Sequence, residues 1–388
     1  MQWGIYIHIP FCRQKCLYCD FASYAGREEE RAAYLQALEK EMRERVPRYL
    51  AKWGAPRTVY LGGGTPTALN SWQMAGLFDV LADTLHGAYP VEWTVEANPG
   101  TVDFPYLSML REKGVNRLSF GVQSFDNTLL RRIGRIHTAE QAEQAIRGAK
   151  QAGFQNLSID LMYGLPGQTL EDLQESVGRA LALEPTHISI YGLQVEAGTP
   201  FARLREQGRL ALPDDETAEA MYDYMTETLP AHGYARYEIS NFARLGFESR
   251  HNLSYWQNVP YLGLGAAAHS YLDGCRTENE ADLSRYIEDM ERGISPAREE
   301  EPRTTAIAME EFAFLALRTA AGISRRAFGE TFGVPLECVY AGPIAEMEQK
   351  GLLVSEGDAV RLTARGAKYG NLVFEAFLLD EDEATKKL

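Results

Sequence analysis

Short apolar runs rich in β-branched residues recur along the first half of the chain, and each is followed by a stretch with helical periodicity. Such alternation is typical of successive βα units, in which each strand is buried on both faces of a parallel sheet. The runs are WGIYIHI, RTVYLGGG, EWTVEANP, RLSFGVQS, LSIDLMYG and HISIYGLQV, and helical segments cover 28–49, 71–85, 139–151 and 170–183. The pattern therefore predicts an α/β fold whose six parallel strands curve into a partial (β/α)6 TIM-like barrel.

The pattern loosens after residue 195 and changes again near residue 302. A helix is predicted over 214–233, and ARYEISNFA predicts a further strand that leads into RHNLSYWQN and YLGLGAAAHSY. An apolar helix over 306–320, a turn and helix at GISRRAF and a hairpin over 352–362 then predict a small helical or winged-helix-like domain. We therefore predict a core domain over 1–235, a connecting segment over 236–300 and a C-terminal domain over 301–388.

Glycines and polar residues gather where the predicted strands end. Because the carboxyl ends of parallel strands meet at one edge of a sheet, side chains there face a common mouth. Carboxylates and amides at such a rim suit ribose hydroxyls and ammonium groups, and glycines let the backbone approach a ligand closely. Helix capping by the carboxylates and an ordinary glycine-rich loop are the alternatives. The residues concerned are Gly63, Gly64, Thr65, Glu96, Gln123 and Asp160.

Three cysteines, Cys12, Cys16 and Cys19, lie close together after the first predicted strand. The CxxxCxxC spacing brings three thiolates to one centre, one fewer than a closed iron–sulfur cluster normally takes, so one iron would stay open to a small molecule. A structural zinc site is disfavoured because the chain has no second CxxC or HxxxH pair. We interpret His8 as a hydrogen-bonded histidine in a strand and not as a fourth ligand. Neighbouring buried thiols are the other alternative.

Composition narrows the class of protein further. The chain has 388 residues, of which 45% are hydrophobic, so it can bury a large core. No apolar run reaches the roughly 18 residues that a membrane-spanning helix needs, and no secretory signal precedes the first strand. Five cysteines without a disulfide pattern fit a reducing compartment. We therefore expect a cytoplasmic protein.

A net charge of −15 makes nonspecific binding to nucleic acid or anionic lipid unfavourable. The element order of the C-terminal unit invites comparison with DNA-binding winged helices. Residues 299–388 nevertheless hold ten Lys and Arg against sixteen Asp and Glu. We expect no nucleic-acid partner, and we interpret this unit as a lid or a docking surface.

Seven motifs extend over most of the chain: YIHIPFCRQKCLYC, GGGTPT, EANPG, FGVQSF, GRIH, DLMYGLPGQ and YEISNFA. Together they resemble the family of oxygen-independent coproporphyrinogen III oxidases and related haem chaperones, within the radical S-adenosylmethionine superfamily. The resemblance implies a [4Fe–4S] cluster on Cys12, Cys16 and Cys19, with S-adenosylmethionine on its open iron. It also implies the incomplete barrel of that superfamily.

The resemblance assigns cofactor contacts to individual residues. Tyr6, Gly63 and Glu96 match the positions that contact cluster-bound S-adenosylmethionine in the family. Without the resemblance, Arg135 would be interpreted as a solvated surface charge. Further contacts, some of them to a second S-adenosylmethionine in the oxidases, match Tyr18, Gly64, Thr65, Gln123, Arg135 and Asp160.

Three features separate the two branches of the family. The oxidases carry a further cysteine where this chain has Phe21, and an N-terminal extension ahead of the cysteines. The segment HNLSYW at 251–256 matches the HNxxYW signature of the chaperone branch. This match makes His251 a candidate haem ligand, with Tyr255 and Trp256 packed on the macrocycle. A core histidine beside buried aromatic residues is the alternative.

Two further side chains are candidate iron ligands. His269 follows an apolar run, Leu262 to Ala268, that could line a haem pocket, although a packed core histidine is the alternative. Cys275 is the third candidate, and a buried thiol is the expected state for it.

The resemblance implies a haem chaperone that binds haem, a [4Fe–4S] cluster and S-adenosylmethionine and delivers haem to recipient haemoproteins, membrane-associated ones among them. A reductant such as flavodoxin or ferredoxin is expected, with the membrane surface reached only through a partner. The alternative is an oxygen-independent coproporphyrinogen III oxidase, which converts propionate side chains to vinyl groups. Phe21 and the HNxxYW motif favour the chaperone, so oxidase activity is not expected.

Overall fold

The computed structural model describes residues 2–299 and 304–379. Its first nine strands are β1 (Gly4–Ile9), β2 (Thr58–Gly63), β3 (Glu92–Ala97), β4 (Arg117–Gln123), β5 (Asn156–Tyr163), β6 (His187–Gly192), β7 (Ala235–Arg236), β8 (Asn241–Ala243) and β9 (Tyr261–Leu264). They are followed by β10 (His269–Leu272), β11 (Cys275–Asn279), β12 (Ala297–Glu299), β13 (Ile323–Ser324), β14 (Leu353–Glu356) and β15 (Ala359–Leu362).

The helices before the C-terminal unit are α1 (Arg31–Trp53), α2 (Ser71–Thr84), α3 (Phe104–Glu112), α4 (Asn127–Arg132), α5 (Ala139–Gln151), α6 (Leu170–Ala182), α7 (Pro200–Glu206), α8 (Asp215–Ala231), α9 (Arg250–Trp256) and α10 (Leu283–Glu291). The C-terminal unit adds α11 (Thr305–Leu317), α12 (Arg325–Phe332), α13 (Leu336–Gln349), α14 (Ala364–Lys368) and α15 (Gly370–Ala376). Within the two described ranges, no helix combines the length and the apolar character needed to cross a membrane.

Strands β1 to β6 lie side by side in chain order, and all of them are parallel. They belong to a twelve-stranded sheet that ends at β12 on one side and at β7 on the other, so the sheet stays open. The predicted partial barrel of six parallel strands is therefore confirmed. The sequence did not predict β9, which pairs in parallel with β1 and extends the barrel by a strand.

The alternation of side chains along β1 explains how the sheet is covered. Ile5, Ile7 and Ile9 are fully buried in the same apolar core as Leu38 of α1. The intervening positions, among them Tyr6, point to the opposite face. Helices therefore cover one face of the sheet, and the other face lines the inside of the open barrel.

The predicted helices over 71–85, 139–151 and 170–183 are confirmed as α2, α5 and α6, and each begins at a capping box. In α5, for example, the Thr138 hydroxyl accepts a hydrogen bond from Gln141 N–H, while the Gln141 side chain accepts one from Thr138 N–H. Such reciprocal bonds pair two donors that the first helical turn leaves free. The sequence signal for these helices is local, which is why their starts were predictable.

ARYEISNFA does not form the single strand that its composition predicted. The chain forms β7 and the antiparallel β8, and β8 pairs with β6. The buried Glu238 between them accepts hydrogen bonds from Ser240 N–H and from Asn241 Nδ2. This carboxylate pairs with the backbone of a tight turn, so the segment bends where a strand was expected.

The C-terminal unit has its own apolar core, which includes Leu317, Phe328, Val339 and Val360. Its three-stranded sheet has the order β13, β15, β14, with β14 and β15 forming the predicted hairpin. With α11 to α13, this arrangement confirms the predicted small helical, winged-helix-like domain. The predicted domain boundaries stay predictions, and the one at residue 300 lies outside the described residues.

Candidate cluster and cofactor site

The loop that follows β1 carries the three cysteines, and neighbouring segments hold its backbone in place. Cys12 N–H donates to the carbonyl of Tyr24 (2.9 Å), and Leu17 N–H donates to the carbonyl of Ile133, just after α4 (3.1 Å). The Leu17 side chain packs against an apolar cluster that includes Ile133 and Phe201. The cysteine loop is therefore fixed against α4 at the carboxyl edge of the parallel strands.

The three thiols are free; Cys12 is buried, and Cys16 and Cys19 are half-buried. Thr65 Oγ1 donates to Cys12 Sγ (3.5 Å), and Arg135 Nη1 donates to Cys16 Sγ (3.6 Å). Burial raises the pKa of the Cys12 and Cys19 thiols, and the neighbouring Cys16 adds to the rise. Each of the two polar contacts favours the thiolate form that metal ligation needs.

A [4Fe–4S] cluster normally takes four thiolates, so three cysteines leave one iron open. Three free thiols on one loop, with a hydroxyl and a guanidinium beside them, are a fitting donor set for such a cluster. In the part of the chain that the structure describes, no three histidine, cysteine, aspartate or glutamate side chains are grouped to hold a single metal ion. The chemistry of its donors makes the cysteine loop the candidate cluster site.

Gly63 ends β2 and Gly64 follows it, where the backbone passes too close to its neighbours for a side chain. Gly63 has a φ of +107°, and a Cβ there would lie 2.4 Å from the His8 ring. A Cβ on Gly64 would lie 2.8 Å from the carbonyl oxygen of Phe11. Thr65 N–H donates to that same carbonyl at 2.8 Å. The glycines therefore allow the β2 turn to lie directly against the start of the cysteine loop.

A row of hydrogen-bonded and stacked rings lines the inner face of β1 and β2. The Tyr6 hydroxyl is hydrogen-bonded to His8 Nδ1 (2.9 Å), and His8 Nε2 is hydrogen-bonded to the carbonyl of Ala22 (2.8 Å). His8 is buried, which confirms the interpretation of this residue as a paired strand histidine. Tyr6 stacks on Tyr60 with ring centroids 6.3 Å apart.

The half-buried Glu96 carboxylate lies at the end of this row. The Tyr60 hydroxyl donates a hydrogen bond to Glu96 Oε1 (2.7 Å). Burial raises the pKa of the Glu96 carboxyl to about 7; the hydrogen bond from Tyr60 opposes this rise, and the nearby Asp160 adds to it. Because its pKa lies near 7, the Glu96 carboxyl group is partly ionised at neutral pH and can accept a hydrogen bond from a ligand at the mouth of the barrel.

The end of β4 is irregular and redirects Gln123. The register with β5 shifts between Gly121 and Gln123, and Gln123 has a φ of +69°. Arg135 donates to the Gly121 carbonyl from Nη2 and to Cys16 Sγ from Nη1, so it joins this bulge to the cysteine loop and is not a solvated surface charge. Burial raises the pKa of Tyr18, which lies beside Arg135 and Cys16.

Asp160 on β5 is surrounded by hydroxyl groups. Ser119 Oγ donates to its carboxylate at 3.0 Å, and Ser158 Oγ donates at 2.9 Å. Burial raises the pKa of Asp160, while the hydrogen bond from Ser158 and the charge of Arg117 act in the opposite direction. The charge of Asp160 adds to the rise in the pKa of Glu96, so both carboxylates face the same interior.

Arg117 and His187 are interior residues that the sequence reasoning did not identify. Arg117 is 1% exposed, and its charge lowers the pKa of both site carboxylates. His187 is hydrogen-bonded to Ser158 Oγ and to the Tyr237 hydroxyl, each at 2.8 Å. The signal was present in the sequence, because an arginine and a histidine stand within the apolar runs RLSFGV and HISIYG. Arginine is almost never fully buried unless its charge is paired, so Arg117 in such a strand indicates nearby carboxylates.

His251 of the HNxxYW motif is fully buried. Its Nδ1 is hydrogen-bonded to Thr58 Oγ1 and its Nε2 to the Tyr255 hydroxyl, each at 2.8 Å. The ring stacks on Tyr60 at a centroid distance of 5.0 Å, and burial lowers the pKa of His251 to about 3. Because both ring nitrogens are occupied, a haem iron has no access to either in this conformation. The geometry favours the core-histidine alternative over the predicted haem ligand.

The position of α9 also argues against His251 as a haem ligand. Thr58 begins β2, and a Cβ on Gly4, which begins β1, would lie 3.4 Å from the His251 ring. Helix α9 therefore lies at the amino ends of the parallel strands, whereas the cysteines lie at the carboxyl ends. The ring of Trp256 is covered by the Arg318 guanidinium of the C-terminal unit at 4.8 Å. Trp256 therefore contacts protein where a haem was expected.

The other two candidate ligands, His269 and Cys275, are exposed on the hairpin of β10 and β11. His269, on β10, has a side chain that is 54% exposed and lies 3.9 Å from Glu278 Oε1, so it is not a packed core residue. The apolar run before His269 is part of the protein core, where Leu262 and Leu264 are fully buried, so it does not line a haem pocket. Cys275 is exposed at the start of β11, and its predicted burial is wrong. The tight turn that precedes Cys275 leaves the thiol facing solvent.

The structure brings the predicted S-adenosylmethionine residues to the carboxyl half of the barrel in two groups. The group next to the cysteine loop comprises Tyr18, Gly64, Thr65, Gln123 and Arg135. The deeper group comprises Tyr6, Gly63, Glu96 and Asp160. The haem candidates His251, Tyr255 and Trp256 belong to neither group. Whether the two groups bind the cofactor stays a prediction.

Comparison with known proteins places this architecture in a family. The profile of the radical SAM superfamily matches residues 6–180, and that of the HemN C-terminal domain matches residues 306–368. Coproporphyrinogen III oxidase (HemN) from Escherichia coli shares the fold, with a TM-score of 0.84 at 24% identity over 97% of this chain and 90% of that chain.

Full-length relatives give the finer assignment. The heme chaperone HemW of Bacillus subtilis (strain 168) is 43% identical over 376 residues, which cover 96% of this chain and 98% of that protein. The heme chaperone HemW of Escherichia coli (strain K12) is 34% identical over 97% of this chain and 98% of that protein. The chain therefore belongs to the radical SAM superfamily and, within it, to the family of the heme chaperone HemW.

Proposed function

We propose that this protein is a haem chaperone, which binds haem and delivers it to recipient haemoproteins. The observation that carries the proposal is the 43% identity to a heme chaperone HemW over 98% of that relative's length. Phe21, at the position where the related oxidases have a further cysteine, supports the same conclusion. The alternative, oxidative decarboxylation of coproporphyrinogen III, is supported by the likeness of fold alone.

Cys12, Cys16 and Cys19 would hold a [4Fe–4S] cluster whose open iron binds S-adenosylmethionine, as membership of the superfamily implies. When bound, this pair supplies one-electron cleavage chemistry at a sulfonium. Thr65 and Arg135 stabilise the thiolates by donating hydrogen bonds to Cys12 and Cys16.

The inner residues of the barrel provide the surface for S-adenosylmethionine. Gly63 and Gly64 let the β2 turn lie directly against the cysteine loop, and Glu96 offers an acceptor that Tyr60 holds in place. Tyr6 is oriented by His8 toward the same interior. We propose that Tyr6, Gly63 and Glu96 contact the S-adenosylmethionine bound at the cluster. Further contacts to S-adenosylmethionine are proposed for Tyr18, Gly64, Thr65, Gln123, Arg135 and Asp160.

Of the three candidate haem ligands, His269 and Cys275 are the exposed ones, because His251 is fully buried. We therefore propose His269, on the hairpin of β10 and β11, as the axial ligand. Imidazole is a common axial ligand to haem iron in proteins. Recipient haemoproteins and a one-electron reductant are the partners that the function requires, with flavodoxin or ferredoxin as the proposed reductant and membrane-associated haemoproteins among the proposed recipients.

The test is an anaerobic assay of the reconstituted protein with coproporphyrinogen III, S-adenosylmethionine and dithionite, alongside titration of the same sample with haem. The expected result is a haem absorption band that saturates at one equivalent, with no protoporphyrinogen formed. Transfer of the bound haem to an apo-haemoprotein is then followed by the spectrum of the acceptor. Formation of protoporphyrinogen would overturn the chaperone proposal in favour of the oxidase.

Two substitutions distinguish His269 from His251 as the haem ligand. His269→Ala is expected to weaken haem binding about tenfold or more, because a coordinate bond is lost. His251→Ala is expected to leave haem binding unchanged in the folded protein. Loss of haem binding in His251→Ala but not in His269→Ala would restore the motif histidine as the ligand.

A further inference from the structure

The surface around the cysteine loop differs in charge from the rest of the molecule. Residues 11–21 and 127–136 together contain five Lys and Arg and one acidic residue, Asp20, in a chain with a net charge of −15. The two segments are in contact, since Gln14 Nε2 donates to the Gly134 carbonyl (3.0 Å) and Leu17 N–H to the Ile133 carbonyl (3.1 Å). They therefore form one continuous cationic surface.

The exposed cations of this surface are bonded to neutral oxygens and form no ion pair with a carboxylate among residues 2–299 and 304–379. Elsewhere on the molecule, exposed cations such as Arg43 and Lys52 are paired with aspartates. The cations of the loop surface are Arg13, Lys15, Arg131 and Arg132, and their acceptors are the carbonyls of Gly100, Phe21 and Pro166 and the hydroxyl of Thr128. Their charge is therefore available to an anionic partner.

An exposed aromatic residue lies in the same loop. Phe21 is 62% exposed, two positions after Cys19. Its backbone is fixed, because its carbonyl accepts hydrogen bonds from Lys15 Nζ (2.9 Å) and Ser23 Oγ (3.3 Å). Aromatic residues and arginines are enriched at protein interfaces. The combination of a fixed apolar side chain and surrounding cations suits a protein with an acidic docking face.

We propose that Arg13, Lys15, Phe21, Arg131 and Arg132, here called the cysteine-loop surface, dock a small acidic protein that delivers an electron to the cluster. The inference rests on the proposed function, since a donor is needed only if the loop holds a redox-active cluster. The donor is oxidised by one electron while the cluster is reduced by one, so no further reactant is required.

Position and charge both favour an electron carrier over other anionic partners. Electron transfer slows steeply with distance, and this surface borders the cysteines directly, since the Cys16 Cα lies 3.6 Å from where a Cβ on Gly134 would be. Unpaired cations steer an acidic partner to the correct face of a molecule that otherwise repels it. Short-lived complexes of this kind bury small interfaces, for which a few cations and an aromatic contact suffice.

The test measures binding of purified oxidised flavodoxin to the full-length protein, by titration calorimetry at low ionic strength. The variant is the double substitution Arg13→Glu with Arg131→Glu, and its matched control is Lys40→Glu with Arg209→Glu. All four side chains are exposed, and both double variants change the net charge by −4. The loop variant is expected to bind about tenfold more weakly, and the control to stay within about twofold of the unmodified protein.

Phe21→Ser tests the apolar contact separately. It is expected to weaken flavodoxin binding about fivefold while leaving the salt dependence unchanged, because no charge is altered. Equal losses in the loop and control double variants would reduce the effect to net charge and overturn the proposal. Undiminished binding in both double variants would also overturn it.

Haem titration of the same variants keeps this test distinct from that of the proposed function. Haem binding is expected to be unaffected by all three variants. If the unmodified protein fails to bind haem yet binds flavodoxin through the loop charges, the chaperone function fails and the docking surface stands. If haem is bound and transferred but flavodoxin binding ignores the loop charges, only the docking surface fails.

Discussion

The half-buried Glu96 carboxyl accepts a hydrogen bond from Tyr60 and has a pKa that burial raises to about 7. An acid with a raised pKa holds a proton in the folded protein at pH values where the unfolded chain has already lost it. Between the ordinary value of 4.5 and about 7, the folded state therefore loses stability as the pH rises. The ionised side chain is retained at a cost to stability, as expected of a ligand-binding group.

Glu96→Gln is therefore expected to stabilise the protein without cofactors above pH 7 and to change it little at pH 5. The gain at pH 8 should be about 1 kcal/mol, since partial exposure screens the carboxylate. S-adenosylmethionine binding should fall about tenfold, because a charged acceptor is lost. Thermal unfolding at both pH values and equilibrium dialysis of the reconstituted protein measure the two effects. Exposed Glu44→Gln on α1 is the control, and an equal gain in stability at pH 5 would contradict the prediction.

His251 is predicted to stabilise the fold through its hydrogen bonds and not to bind haem iron. His251→Ala removes the partners of Thr58 and Tyr255 and leaves a cavity beside Tyr60, so the protein should lose about 2–4 kcal/mol of stability. Tyr255→Phe is the milder control, because it removes only the hydroxyl, and it should cost about 1 kcal/mol. Urea unfolding at pH 7.5 measures both. Unchanged stability in His251→Ala would contradict this account.

At the level of elements, α9 connects the barrel to the C-terminal unit. Arg318, next to the end of α11, places its guanidinium over the rings of Trp256 (4.8 Å), Phe314 (5.3 Å) and Phe374 (5.8 Å). The charge of Arg318 also acts on the buried carboxylate of Glu238, between β7 and β8. One side chain thus links α9, the turn after β7 and the C-terminal core.

Arg318→Ala is expected to loosen this junction without unfolding the barrel. It removes the cation–π contacts and leaves Glu238 without one of its neighbouring positive charges, at a cost of about 2 kcal/mol. Hydrogen exchange should accelerate at residues 236–241 and 314–320 and stay unchanged in β1 to β5. The exposed Arg365→Ala in the same unit is the control. Faster exchange throughout the barrel, or none at the junction, would be inconsistent with this role.

The elements that the sequence predicted well are those whose signals are local. The strands β1 to β6 are apolar runs, and the capping residues of α2, α5 and α6 lie within three positions of the helix start. The segment YLGLG gave no clear strand signal, because β9 contains only four residues and pairs with β1 from far along the chain. Long-range pairing decides such elements, and local propensity does not.

The residues of the candidate site likewise divide into those with a local sequence signal and those whose environment depends on distant parts of the chain. The cysteines could be predicted from their spacing along the chain, and the glycines from the backbone geometry that only glycine adopts easily. The burial of His251 could not be predicted in this way. Its burial depends on Thr58, which is 193 positions away in the chain. Cys275 was expected to be buried because most free thiols are, but the turn before β11 exposes it.

On the scale of the whole molecule, buried neutral histidines govern the response to acid. His8, His137, His187 and His251 are buried, and burial lowers the pKa of each, to about 3 for His137 and His251. A lowered histidine pKa means that the unfolded chain binds protons which the folded protein does not. Stability from these groups is therefore present above about pH 6.5 and is lost as the pH falls below it.

His137 and His251, each with a pKa of about 3 in the folded protein, should each cost about 1.4 kcal/mol of stability between pH 7.5 and pH 5.5. Glu96, which titrates in the opposite sense, offsets one of them. The protein is therefore expected to unfold more readily at pH 5.5, as measured by urea midpoints at the two pH values. His187→Gln keeps a donor and an acceptor for Ser158 and Tyr237 but cannot be protonated, so it should shrink the pH difference by about 1.4 kcal/mol. His232→Gln, on the exposed end of α8, is the control and should leave the difference unchanged. A pH difference of the same size in His187→Gln would mean that exposed carboxylates, and not the buried histidines, set the acid limit of the fold.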